Sequence, residues 1–451
     1  MPRSRTRPEA MNAQLPVRTN AEQAFAAAFE SVRSRLPGGK QLAKLRKQAI
    51  DAFLKSGLPT RRVEDWKYTD LSVLMREVPP LAGPPDQAAI ARAKVLDPLP
   101  GVDVRRIVLL NGAFVPELSD LAKLEIGLKI ISLARALADG DKLTERIGAL
   151  APAGYDAALA LNTAFLADGV LIEIAKDTRI ERPIHIQHVF GSDAPAAVFT
   201  RSLLLLGEGA QLTYIESHLG PDRIAYQTNS TLELHLDARA SLDLVRLQAE
   251  GDAALHLSTW LAKAGEGVKL RTCALTTGAA VSRHSVTLHC AGRDEETRIA
   301  ATTLLRGRQH ADTTLVVDHS VPACASRALF KSVLDQESRG VVQGRVVVHP
   351  EAQKTDAKMM LGALLLGEAA EADHKPELEI YADDVQCGHG ATAGALDESL
   401  LFYLRARGIP RKEAEALLIE SFVGEAFDAI EHEPLRDALR TRANAWLVAR
   451  G

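Results

Sequence analysis

Leu206-Gly207-Glu208-Gly209-Ala210, a turn-like string, runs into the alternating segment Gln211 to Ile215. The same unit returns as Leu236-Asp237-Ala238-Arg239-Ala240 before Ser241 to Val245, and as Lys263-Ala264-Gly265-Glu266-Gly267 before Val268 to Cys273. The strings begin 30 and 27 residues apart, so each period holds a turn and a strand. A loose period of this kind marks a stacked β architecture, in which each rung buries its apolar face against its neighbours. Alternation continues on the C-terminal side. Val286, Leu288 and Cys290 alternate with Thr287 and His289, and Val346 and Val348 with Val347 and His349. A β-sandwich and a parallel β-helix both suit such strands. The region exceeds 180 residues with few helical breaks, a length that a β-helix reaches by adding rungs.

Outward from this block the period changes. Val170 to Ile174 and Ile184 to Val189 are strand-like, Ala151 to Asp168 reads as a helical interruption, and Ile107 to Gly112 as a strand entering a turn. Phe25, Phe29, Val32 and Leu36 predict a helix broken by Pro37-Gly38-Gly39. Leu42, Leu45, Ala49 and Phe53 predict a second, ending at Gly57. Pro79 to Pro100, rich in Pro and Ala, reads as a linker. Near the C-terminus, Asp397 is placed to N-cap a helix that Gly408 ends, and Pro410 opens the next. There Ala414, Leu418, Phe422, Ala426 and Ile430, broadened by Ile419, Val423 and Phe427, form a stripe wide enough for a core contact and a partner. The expected division is a disordered start over residues 1–20, a mainly helical region over 21–150, the β core over 151–392 and a helical domain over 393–451.

Hydrophobic content of 46% and charged content of 25% describe an ordinary globular chain. A net charge of −4 and 4% aromatic residues argue against nucleic acid as the main partner. No stretch approaches the roughly 20 apolar residues that span a bilayer, and Met1 to Thr19, with Arg3, Arg5, Arg7 and Arg18, lacks the apolar segment of a secretory signal. The four cysteines, Cys273, Cys290, Cys324 and Cys387, form no C-x-x-C pair. So few thiols suit a reducing, cytoplasmic setting, and a metal or cluster handled here would share its ligands with a partner. No P-loop is present, and no G-x-G-x-x-G links a strand to a helix, so any ATP in its work is bound by another subunit.

Cys387-Gly388-His389-Gly390 is the strongest chemical signal. In a strand, residues i and i+2 face the same way, roughly 6.6 Å apart, so one metal or cluster edge can touch both Cys387 and His389. Thiolate and imidazole are both ligands for iron. Gly388 and Gly390 let another backbone approach. Asp383-Asp384 is the most conspicuous carboxylate couple, but adjacent strand residues face opposite ways, which favours turn formation and ion pairing over shared chemistry. Cys273 and Cys290 sit in alternating strands and read as core; no role is assigned to the remaining histidines.

Several segments together resemble the SufB/SufD family of iron–sulfur cluster assembly scaffolds. They include Gly57-Leu58-Pro59-Thr60-Arg61-Arg62, Glu64, Trp66-Lys67-Tyr68-Thr69, Asn111-Gly112, Asn162-Thr163-Ala164-Phe165, Asp318-His319 with Pro322, Cys324 and Ser326, Lys354-Thr355-Asp356-Ala357, and Phe402 to Ile409. Cys387 to Gly394 is similar to the SufD branch, whereas the SufB branch carries a glutamate where this chain has glycine. The resemblance implies a mostly β core, a right-handed parallel β-helix flanked by N-terminal and C-terminal helical regions. It further implies a non-catalytic scaffold that pairs with SufB through the β-helix and binds the ATPase SufC through the C-terminal helices, a homodimer being the alternative for the isolated chain. His389 and Cys387 become candidate metal ligands at the SufB interface, where an iron–sulfur cluster assembles transiently. A reduced flavin is linked to the family's complex, and no residue here marks its site. Two departures put local packing in question. The rung Gly340-Val341-Val342-Gln343-Gly344 lacks the family's aromatic, and Met359, Leu361 and Ala363 stand where polar residues are usual. The rival readings are a SufB-type scaffold carrying the cluster itself and, from another class, a carbohydrate-active β-helix enzyme, which would need acidic side chains gathered on one face.

Overall fold

A computed structural model describes residues 18–152 and 154–449. Residues 1–17 of the expected disordered start lie outside the described residues, and Thr19 is already the N-cap of the first helix, Asn20–Val32.

The repeats build a solenoid. From Val170–Ile174 onward, strands that follow one another in sequence belong alternately to a nine-stranded and a ten-stranded sheet, and each pairs in parallel with the strand two places on. Gln227–Leu236, Leu255–Ala264, Val281–Cys290, His310–His319, Arg339–Val348 and Glu371–Ile380 succeed one another in one sheet. Register is in step, Leu234 beside Ala262 and Ala262 beside Leu288, so a given face of one rung lies over the same face of the next. Gly209, Arg239 and Gly267 take positive φ in the three quoted turns. The turns also stack: Gly209 N–H donates to Ala238 O (2.9 Å) and Arg239 N–H to Glu266 O (2.7 Å).

Alternate residues enter the space between the sheets, where Leu234, Leu244, Ala262, Leu270, Leu288, Leu315 and Val346 belong to one continuous core. Helices cover the outer faces. Ile419, Val423, Ala426 and Phe427 close over Val245, Cys273, Leu275 and Ala300 of the ten-stranded sheet. Phe25, Phe53, Trp66, Leu161 and Phe165 pack with Leu255 and Leu257 of the nine-stranded sheet. Trp66 is pinned by the Arg283 guanidinium 3.9 Å from its ring, and Arg283 pairs in turn with buried Asp312.

Two readings are refined. The Pro79–Pro100 segment holds a helix, Gln87–Val95, capped by Asp86. Its alanines, Ala89 and Ala93, let it lie close against Val108 and Leu110, so the small residues that suggested a linker serve packing. The strand expected at Ile107 to Gly112 is Arg105–Leu110, paired with Ile184–Val189, and a strand that the mainly helical reading of this region did not include, Leu128–Ser132, pairs with Val170–Ile174. A Cβ built on Gly344 would lie 2.3 Å from Met359 Sδ, so Met359 fills the space over that glycine, and Val342, Met359 and Leu361 all belong to the interior core.

Buried Glu295 accepts a 2.7 Å bond from Thr297 Oγ1, beside Cys290. Burial raises its carboxyl from the ordinary 4.5 to about 7. The folded state therefore holds this proton more tightly than the unfolded chain, and its contribution is full below pH 4.5 and lost as pH rises through 7. Glu295→Gln should flatten that part of the pH–stability curve and leave the variant the more stable protein at pH 8. Denaturant melts at pH 5 and pH 8 check this, and parallel curves for the two proteins would contradict it.

Candidate functional site

The two ends of the solenoid differ. At one end the antiparallel strands Ala113–Phe114 and Leu128–Ser132 terminate the sheets. At the other the last strands, Glu371–Ile380 and Gln386–Gly394, each have a neighbour on one side only.

Cys387 and His389 lie on the second of these edges. Cys387 pairs with Ala357 and His389 with Met359. Ala357 and Met359 are buried in the interior core, and Cys387 packs against that core. The sequence expectation that the two share a face therefore holds, and that face is the uncovered end of the solenoid interior: Cys387 is half-buried and His389 exposed. Burial is the main reason the Cys387 thiol is held above its ordinary range. It is a neutral thiol in this chain, and a metal would have to displace its proton.

Backbone polarity sharpens the picture. Gln386 N–H donates to Thr355 O (2.9 Å). By alternation the N–H groups of Cys387, His389, Ala391 and Ala393 point to the open edge. On the neighbouring edge, Glu371 and Tyr381 donate to Ser338 O and Val348 O, so even-numbered positions face outward there, and one of them is Pro376. Glu371, Asp373, Lys375, Glu377 and Glu379 add charge to the same strand. Proline and charge are the usual guards of an edge. The Gln386–Gly394 strand carries neither.

A groove of about 740 Å³ runs along the outer face of this end, with Arg298, Arg327, Lys358 and Met360 on its floor and Glu425 and Asp428 on its helical wall. Cys387 and His389 line it only from behind, since their strand-mates Ala357 and Met359 point inward. Asp384 pairs with Lys354 and sits in the connection between the two edge strands, which gives the acidic couple a structural part. Cys273 is buried beneath Ala426, Cys290 and Cys324 are buried, and His319 Nε2 lies 3.0 Å from Ser326 Oγ, tying the Asp318–Ser326 turn together.

Sequence reasoning overlooked two groups. His374 stands over Val342 on the inward side of the other open edge; its signal was the alternation with Pro376 and Leu378. His188, Glu216 and His218 come together inside the solenoid, the one such cluster among the described residues. Its signal was spacing, because residues 188 and 218 are one rung apart.

The family descriptions "SufBD protein N-terminal region" and "SUF system FeS cluster assembly, SufBD core domain" match residues 19–186 and 188–422. The chain is 30% identical to the iron–sulfur cluster assembly protein SufD of Escherichia coli, over 95% of this chain and 97% of that one. It is 31% identical to an iron–sulfur cluster assembly SufBD family protein of Synechocystis, over 88% and 90%, and 28% identical to the chloroplastic protein ABCI7 of Arabidopsis thaliana, over 90% and 86%. A repeat-built solenoid, an unguarded final strand bearing Cys387 and His389, and matches spanning nearly the whole length agree: this chain belongs to the SufBD family of iron–sulfur cluster assembly proteins.

Proposed function

We propose that the chain is a SufD-type, non-catalytic scaffold subunit, working in the cytoplasm beside a SufB-type subunit and a SufC-type ATPase. The observation that carries this reading is the asymmetry of the two edges at the open end, one guarded by Pro376 and charge, the other offering four free N–H groups beside Cys387 and His389. A partner strand laid there would gain a backbone ladder and cover the open interior. His389, with Cys387, would then supply part of a cluster-forming site whose remaining ligands come from SufB, the cluster being cargo rather than a resident group. Leu400, Phe402 and Tyr403 leave large apolar surface exposed on the helix Glu398–Arg405, and Leu417 does so on the next helix. That surface suits docking of the ATPase.

Co-purification of tagged chain with SufB and SufC tests the assignment. Ala391→Pro removes only an edge-facing N–H and should abolish SufB recovery while SufC stays bound. Phe402→Ala should do the reverse, weakening SufC capture at least about tenfold, the loss of a modest hot spot. Loss of both partners in either variant, or of neither, would refute the division of surfaces. Retention of a second copy of this chain on the same edge would point to self-pairing.

A further inference from the structure

Inside the solenoid, the inward positions turn polar along Ile184–Val189, Gln211–Leu219 and Ser241–Ala249. His188, Glu216 and His218 each bring one ligand atom to within 4.8 Å of the others. The two imidazoles stack at 4.4 Å between centroids, and His218 Nε2 lies 3.3 Å from Glu216 Oε1. A separate observation points to an occupant. A cavity of about 20 Å³, room for one ion or one water, touches His188 and His218 together with Thr228, Glu250 and the apolar Leu109 and Phe190, and Glu216 stands outside its lining.

The surrounding groups hold this triad in place without using up its ligand atoms. Trp260 Nε1–H donates to Glu216 Oε1 (3.0 Å), and Arg246 Nε lies 3.7 Å from the same oxygen, leaving Oε2 without a hydrogen bond. Glu250 is engaged elsewhere, accepting from Thr228 Oγ1 (2.9 Å) and Gln248 Nε2 (3.1 Å). Arg246 can only donate, so His256 Nε2, 2.7 Å from Arg246 Nη2, accepts. The His256 Nδ1–H is thereby directed at Glu250, 2.6 Å away. His256 is thus committed, whereas His188 has only a 3.5 Å contact to Thr200 Oγ1. Two carboxylates face one guanidinium, so the chamber favours a cation.

We propose that His188, Glu216 and His218 form an internal binding site for one divalent transition-metal ion. Two imidazoles and one carboxylate suit Fe(II) and Zn(II), and Trp260 and Arg246 orient the carboxylate as outer-shell groups do in metal proteins. The site is separate from Cys387 and His389 and does not depend on the scaffold assignment.

The test uses the full chain carrying Cys387→Ser and His389→Ala, so that the open end cannot bind, after metal is stripped by chelator. Co(II) and Zn(II) are then titrated in turn, and Fe(II) under anaerobic conditions. One equivalent should bind, with visible d–d bands for Co(II) and a metal-dependent rise in Tm. Adding His188→Gln or His218→Gln should weaken uptake at least about tenfold, the lower bound set by outer-shell changes, while the metal-free Tm changes little. If a glutamine variant fails to fold, X-ray absorption of the Zn(II)-loaded parent decides, a nitrogen and oxygen shell with imidazole scattering being the expected result. No stoichiometric uptake, uptake unchanged in both glutamine variants, or a sulfur shell would each overturn the site.

Discussion

His389→Ala should abolish cluster assembly in the mixed complex while leaving this chain folded and paired. The imidazole is exposed and makes no hydrogen bond or ion pair among the described residues. Its removal should therefore change stability by no more than about 0.5 kcal/mol, the range of ordinary surface substitutions. The backbone N–H of residue 389 survives the change, so the proposed edge ladder to a SufB-type partner would be kept. What goes is a lone pair at the mouth of the solenoid, on the same face as Cys387. Removing even an outer-shell group costs a metal site about tenfold or more, and a direct ligand should cost at least that. The measurement is anaerobic reconstitution with iron and a sulfide source, followed by visible absorbance. Tm and SufB recovery are read on the same sample. Assembly at the parent rate would remove His389 from the site, and a large fall in Tm would make its role structural. Cys387→Ser separates the pair: half-buried and packed on the core, the thiol contributes to stability where the imidazole does not.

The placement of the candidate site was legible because its residues lie close together in sequence. Cys387 and His389 are two apart on one strand, and strand geometry alone puts them on one face. The turns at 206, 236 and 263 were legible for a similar reason: each repeats a local backbone requirement, met by Gly209, Arg239 and Gly267 at positive φ. What the sequence hid depends on register between rungs. His188 and His218 looked scattered because their contact exists only once Ile184–Val189 lies in step with Gln211–Leu219. The helix Gln87–Val95 was hidden differently. Its alanines carry little amphipathic signal and gain their meaning from the close approach to Val108 and Leu110. The edge asymmetry needed both kinds of information, since Pro376 guards an edge only if its missing N–H would have faced outward.

The largest loss of stability is expected at Glu233→Ala. Glu233 and Arg201 are almost completely inaccessible, at 0% and 1% side-chain exposure, with Arg201 Nε 2.7 Å from Glu233 Oε1. Arg201 also donates to Thr163 Oγ1 (2.9 Å), and Gly148 N–H donates to both Glu233 oxygens (3.0 Å each). The pair thus joins two neighbouring rungs to the helix Ala157–Ala164 and to the segment before it. Removing the carboxylate leaves a guanidinium sealed from water, whose Nη2 already lacks a partner. Breaking a buried pair in this way costs about 3–5 kcal/mol. Replacing both partners by apolar residues, Arg201→Met with Glu233→Leu, removes the desolvation cost of each charge and should recover most of the loss. Denaturant unfolding of the single and double variants, read as a double-mutant cycle, measures the coupling. A single variant costing under about 1 kcal/mol would place the pair among solvated surface bridges. A double variant as weak as the single would mean that the bonds to Thr163 and Gly148, rather than the ion pair, fasten the N-terminal helices to the solenoid.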